Sequence, residues 1–280
     1  MPLIGALAGG AAPGAPGGIG PGADPREDEL TSDAITANFR LIQRKRGHRF
    51  SLDDLATAWV AARAAPAAQA YADLGCGIGS VLLMVAWRLP AARALGVEAQ
   101  EMSIALARRN VAENGIAGRT RLVLGDLREV TAGLVERFDL VTGTPPYLPR
   151  GTALESPDPQ RAAARIELRG GVEDYLAAAA RIVAPNGRVV VCADGRRPDR
   201  VHAGARAAGL AILARTDVIA RAGAVVPLFG VWTLGPAGDG EPPEARCDRV
   251  VMRDDRGDRT ADAIAMRRFF GLDLAAPAAR

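Results

Sequence analysis

Lysine is almost missing from this chain: Lys45 is the only one among 35 basic residues, and the formal charge balance is +3. So small an imbalance argues against attraction of a polyanion by the surface as a whole, so any nucleic-acid contact must come from a local patch. Cysteine is scarce too. Cys76, Cys192 and Cys247 are odd in number, far apart and without Cys-x-x-Cys or Cys/His ligand spacing. That pattern argues against a disulfide framework and structural zinc, and for a reducing, cytosolic compartment. No apolar run approaches the roughly eighteen residues of a membrane span, and the N-terminus lacks the basic start and apolar stretch of an export signal. Neither membrane insertion nor export is expected.

What is present suffices for a core. With 280 residues, 49% of them hydrophobic, the chain can bury one enzyme-sized interior without metals or disulfides, and a monomer is the default expectation. Residues 1–29 are Gly, Ala and Pro with a late acidic cluster, too poor in large apolar groups to offset chain entropy, and are expected to form a disordered tail. The remainder, 30–280, is read as one domain: a lead-in segment and helix over 30–69, a core over 70–235 and an extension over 236–280.

Between Thr31 and Arg49 a basic, semi-apolar stretch predicts a short hairpin or extended arm. Ser51 caps a helix through Leu55, Ala58, Trp59 and Ala62, with Asp53 and Asp54 in its first turn, where the helix dipole favours acids. Strand and helix signals then alternate. Strands are predicted at Ala70–Leu74, Arg93–Val97, Thr120–Leu124, Phe138–Thr142 and Arg188–Ala193. Helices are predicted at Ser80–Leu89, Glu101–Glu113, near Arg128–Glu136 and at Val172–Val183, with a long loop after Thr142. Beyond Arg196, a helix is followed by apolar segments Leu210–Ile219 and Val225–Leu234 that can add antiparallel strands, and 248–280 supplies a short strand and a terminal helix. Such alternation means an α/β protein with a largely parallel sheet covered on both faces.

In such sheets ligands bind beyond the carboxyl ends of the strands, and that is where the unusual residues cluster. The first core strand runs into Asp73-Leu74-Gly75-Cys76-Gly77-Ile78-Gly79, whose glycines allow a sharp turn and close backbone approach to a ligand. Ser80 and Val81 follow Gly79, so the dinucleotide fingerprint G-x-G-x-x-G is not met. Asp73 can face an ammonium group. Glu98 closes the second strand, where a carboxylate can accept both ribose hydroxyls, and Asp126, followed by Leu127, stands after the third, within reach of an adenine amino group. Each acid taken singly also reads as a helix cap or a solvated loop residue. Together they resemble the cofactor site of methyltransferases that use S-adenosylmethionine on a seven-stranded Rossmann-like sheet.

After the fourth strand comes Thr144-Pro145-Pro146-Tyr147, which resembles the Asn/Asp-Pro-Pro-Tyr motif of methyltransferases acting on planar nitrogens. The resemblance implies that the first side chain and a proline carbonyl accept N–H bonds from the acceptor, and that the aromatic ring stacks on its plane. Thr144 departs from the usual Asn or Asp. Arg46-Gly47-His48-Arg49-Phe50-Ser51-Leu52-Asp53 is similar to the Gly-Tyr-Arg-Phe-x-x-Asp segment of bacterial tRNA adenine-N6 methyltransferases that modify the adenine next to a valine tRNA anticodon. Arg161-Ala162-Ala163-Ala164-Arg165-Ile166-Glu167 and Pro185-Asn186-Gly187-Arg188 extend that likeness, which covers roughly residues 35–235. It implies that Phe50 and Asp53 help close the cofactor site. The run Arg44, Lys45, Arg46 and Arg49, flanked by aromatics, has the character of an RNA-backbone contact, and the loop Pro149–Arg169 offers Arg150, Arg161, Arg165 and Arg169 as a second substrate surface. Two alternatives stay open: a protein glutamine-amide methyltransferase, which shares the tetrapeptide, and a cofactor-binding RNA or partner module whose catalysis is weakened by Thr144.

Overall fold

The computed structural model describes residues 29–149, 151, 156–238, 240 and 244–272. Apart from Glu29, the expected tail lies outside the described residues, as does Arg150. The elements follow the order β1 (Leu30–Ala34), β2 (Arg40–Arg44), α1 (Leu52–Ala64), β3 (Ala70–Leu74), α2 (Ser80–Arg88), β4 (Arg93–Glu98), α3 (Glu101–Glu113), β5 (Thr120–Leu124), α4 (Leu127–Ala132), β6 (Phe138–Gly143), α5 (Pro159–Arg165), α6 (Val172–Ile182), β7 (Val183–Ala193), α7 (Pro198–Ala207), β8 (Leu210–Ile219), β9 (Phe229–Pro236), β10 (Arg246–Val251) and α8 (Ala261–Phe269).

β1 and β2 form the expected hairpin, pairing from Leu30 with Arg44 to Ala34 with Arg40. The other strands build one sheet in the order β10-β8-β9-β7-β6-β3-β4-β5. β5, β4, β3, β6 and β7 are parallel, while β9 runs antiparallel to both β7 and β8. Side-chain alternation splits the interior into two layers. Tyr71, Leu140, Val190, Cys192 and Val231 face α1, α2 and α8. Ala72, Leu74, Val141, Val191 and Trp232 face α6 and α7. The chain leaves β3 outward through β4 and β5, then returns to β6 on its other side. The crevice of a doubly wound sheet opens at the carboxyl ends of β3 and β6.

Four expectations are corrected. The sheet has eight strands rather than seven, because β10 adds parallel to β8; Arg246, Asp248 and Arg249 put charge on this outermost strand, as an unpaired edge requires. The strand expected from Val225 begins only at Phe229. Pro227 cannot donate to a ladder, and Val225 and Val226 stand exposed in the preceding turn. α4 stops at Ala132, with Gly133 as its C-cap, short of the expected Glu136. The long loop after β6 carries a short helix, α5, capped by Asp158, whose side chain accepts the Arg161 N–H.

Candidate active site

The turn after β3 is shaped by backbone conformation. Gly75, Gly77 and Gly79 have φ of 64°, 56° and 91°, a region where a side chain is strained. At Gly75 an added Cβ would also collide with the Tyr175 hydroxyl, whereas at Gly77 it would meet open space. Gly79 is the N-cap of α2. The Gly77 N–H donates to Glu98 Oε2 at 2.9 Å and the Gln100 N–H to Oε1 at 2.7 Å, so the Glu98 carboxylate is fixed by the loops on either side of it. Burial pushes its pKa up, and the Gln100, Gly77 and Ala99 backbone bonds pull against that shift.

Asp73 is deeply buried beside them. Its Oδ1 accepts from Thr142 Oγ1 at 2.6 Å, and Tyr71 Oη lies 2.7 Å from the same threonine oxygen. Thr142 has one proton and gives it to Asp73, so Tyr71 is the donor to Thr142. Asp73 Oδ2 is buried without a hydrogen-bond partner. Desolvation raises the Asp73 pKa to about 7; the hydrogen bonds from Thr142 and the Leu82 backbone oppose the rise and Glu98 adds to it. A buried acceptor left unmatched is costly, and a cationic ligand would relieve that cost.

Asp126 does two jobs. It caps α4 by accepting the Arg128 N–H at 2.9 Å, and the Arg128 guanidinium bridges both its oxygens at 2.9 and 2.6 Å, which holds its pKa below the usual carboxylate range. It also lines, with Gly125 and Leu127, the cavity that Gly75, Cys76, Gly77 and Glu98 line from the other side. The cavity is a partly open cleft, and Thr144 and Pro146 of the loop after β6 border it. Asp73, Gly79, Pro145, Tyr147, Phe50 and Asp53 do not line it. Gly79 lies where the turn enters α2, and Pro145 and Tyr147 face a small hollow with Pro146, Glu167 and Arg200. Phe50 packs on the α1 side of the core. Asp53 Oδ2 accepts a 2.7 Å bond from the Tyr147 hydroxyl.

From the lead-in segment it is His48 and Asp54, not Phe50 and Asp53, that reach the cavity. Desolvation, helped by Arg161 and Arg165, lowers the His48 pKa; Asp53 opposes it. Tyr175 of α6 is a further lining residue, its ring wedged against Gly143, where an added Cβ would come within 2.6 Å of Tyr175 Cδ1. The segment carrying α5 is fastened over the site. Buried Gln160 donates to Ser103 Oγ at 3.2 Å, and its Oε1 accepts from the His48 N–H at 3.3 Å and Arg44 Nη1 at 3.2 Å. Arg44 also bridges Asp158 at 2.8 Å. Of the basic run, Arg44 and Arg49 are thus built into the fold, Arg49 through Thr31 Oγ1 at 2.9 Å and Asp33 Oδ2 at 3.1 Å, while Lys45 and Arg46 are exposed.

No helix among the described residues is long and apolar enough to cross a membrane. The family model described as methyltransferase small domain matches residues 49–156. A tRNA1(Val) (adenine(37)-N6)-methyltransferase of Porphyromonas gingivalis is 32% identical over 122 residues, 42% of this chain and 47% of that protein. A 4-amino-L-phenylalanine/4-methylamino-L-phenylalanine methyltransferase of Streptomyces pristinaespiralis is 31% identical over 58% of this chain and 50% of its own length. A release factor glutamine methyltransferase of Caulobacter vibrioides is 37% identical over 49% of each. The chain therefore spans about half the length of these curated relatives. Among solved structures, a predicted O-methyltransferase of Agrobacterium tumefaciens superposes with a TM-score of 0.56 at 20% identity, covering 81% of this chain and all of the other, so the two share the α/β fold. Over residues 49–156, then, the chain is similar to the proteins that carry the methyltransferase small domain.

Proposed function

We propose that this protein transfers a methyl group from S-adenosylmethionine to a planar nitrogen, and that its acceptor is the N6 amine of an adenine in tRNA. The observation that carries the reading is one cavity bordered by two sets of groups. Thr144 and Pro146 meet Glu98, Asp126 and the glycine turn there, and Asp73, two residues before Gly75, keeps a buried oxygen without a hydrogen-bond partner.

These residues fit the cofactor. Asp73 would take the ammonium group, Glu98 the ribose hydroxyls, and Asp126 with Leu127 the adenine. Bound there, the cofactor supplies a sulfonium methyl already activated for transfer. The protein's part is to hold the acceptor in line with it. An exocyclic amine conjugated with its ring is a weak nucleophile. Acceptance of its N–H bonds by the Thr144 hydroxyl and the Pro145 carbonyl would draw its lone pair out of conjugation, and its surplus proton is released as the new bond forms. Tyr147 offers the ring on which a splayed-out base stacks.

Exposed Arg169 on the cavity lining, exposed Arg161 and Arg165 of the segment carrying α5, and Lys45 and Arg46 just after the hairpin favour a polyanionic acceptor. The likeness to a release factor glutamine methyltransferase supports a second reading, an amide acceptor in a protein. Calorimetry with S-adenosylmethionine, followed by transfer of its tritiated methyl into unmodified tRNA or into protein, tests both. Label in tRNA is the expected result. Label in protein alone supports the second reading, and binding without transfer reduces the chain to a cofactor-binding module.

A further inference from the structure

Asp53 and Tyr147 lie 94 positions apart in sequence, and the 2.7 Å bond between them joins the start of α1 to the loop after β6. Both ends of this bond are braced. Asp53 Oδ1 lies against the Ser51 hydroxyl and accepts the Asp54 N–H at 3.2 Å. The Ser51 N–H in turn donates to Asp54 Oδ2 at 3.0 Å, closing a reciprocal cap on the helix. One oxygen of Asp53 is thereby committed to the first turn of α1 and the other to the tyrosine. The helix N-terminus favours the negative charge that this arrangement needs. Tyr147 is equally constrained at its backbone end, because Leu148 donates to the Arg165 carbonyl at 3.1 Å and accepts from the Glu167 N–H at 3.0 Å. Its ring packs partly against the core and keeps part of its surface exposed.

A tyrosine ring turns about two side-chain torsions. Anchoring its hydroxyl as well as its Cα fixes the first torsion and the axis of the ring, and because the phenolic O–H lies in the ring plane by conjugation, an acceptor held in one place also favours one plane about the second. We infer that Asp53 is a positioning residue: its carboxylate fixes the plane of Tyr147 on which a planar acceptor stacks. The inference rests on the proposal that the loop after β6 receives such an acceptor. It also gives Asp53 a role other than the closure of the cofactor site that the sequence likeness implied.

The test is a double-mutant cycle on the full chain with Asp53→Asn, Tyr147→Phe and the double variant, read as kcat, acceptor KM and cofactor Kd. Asp53→Asn should lower kcat by ~10-fold or more, the range for loss of a hydrogen bond to a charged group, with cofactor Kd unchanged. In the Tyr147→Phe background, which leaves the α1 cap intact, the same substitution should have little further effect. Equal losses in both backgrounds, a kcat that is unchanged or raised, or a weakened cofactor Kd in place of a kcat loss would each overturn the inference and leave the proposed reaction standing. A readout independent of any reaction is the proton NMR signal of the tyrosine hydroxyls, of which the chain has three. A slowly exchanging hydroxyl resonance absent from both Asp53→Asn and Tyr147→Phe supports the bond. If wild-type protein methylates nothing, the proposed reaction fails, and the inference falls with it unless that resonance is present.

Discussion

The two sides of the cavity are built differently. The cofactor side, from β3 to α4, is made of backbone: three glycines at positive φ, two N–H groups on Glu98, and a helix cap at Asp126, all between positions 73 and 128. The acceptor side is made of side chains that meet from far apart, Tyr147 with Asp53, Arg44 with Asp158, and Gln160 with Ser103. Backbone geometry is set by local sequence and tolerates little change. A side-chain assembly can be retuned one residue at a time, which suits the half that has to recognise the acceptor.

The largest expected effect breaks the cofactor side. Gly75→Ala puts a methyl group into the Tyr175 hydroxyl at a φ that itself costs about 1–2 kcal/mol. Binding of S-adenosylmethionine should disappear in calorimetry, along with a fall in melting temperature. Next, Tyr147→Ala should cut methyl transfer by ~100-fold, the effect of losing a stacking platform worth about 1–3 kcal/mol per base together with the ordering it provides, while cofactor affinity is kept. Calorimetry beside a transfer assay separates the two sides.

The pH dependence sharpens the comparison further. Because the Asp73 pKa is raised to about 7, the carboxyl is neutral below that pH and ionised above it. An ammonium group prefers the ionised form, so cofactor affinity should strengthen as pH rises from 6 to 8, by at most ~10-fold per pH unit, with a proton released on binding. Asp73→Asn should flatten that dependence. Smaller still, Lys45→Ala with Arg46→Ala should weaken tRNA binding several-fold and reduce its salt dependence by about two phosphate contacts, with turnover at saturation unchanged.

The same division decides what the sequence discloses. Strand and helix alternation, the glycine turn and the acids at three successive strand ends are all local patterns, and they yield the parallel sheet, the position of the cavity and most of its cofactor-side lining. A short strand within 248–280 is legible, but not that it begins at Arg246 and extends the sheet beside β8, because a charged run shows its partner only in the fold. Tyr175 and Gln160 are hidden because their partners are remote. The only sequence sign of Tyr175 is Gly143, the small residue just before Thr144 that makes room for the ring. The basic run is half legible for a related reason: spacing displays charge but not the acids beside it, and Asp33 and Asp158 pair with Arg49 and Arg44.

The most direct test of the central claim is mass spectrometry of nucleosides from unmodified tRNA incubated with the purified protein and S-adenosylmethionine carrying a deuterated methyl group. Deuterated N6-methyladenosine should form with the wild type and be lost with Tyr147→Ala. Unlabelled tRNA beside a protein carrying deuterated methylglutamine, or no labelled product from a protein that binds the cofactor, would contradict it.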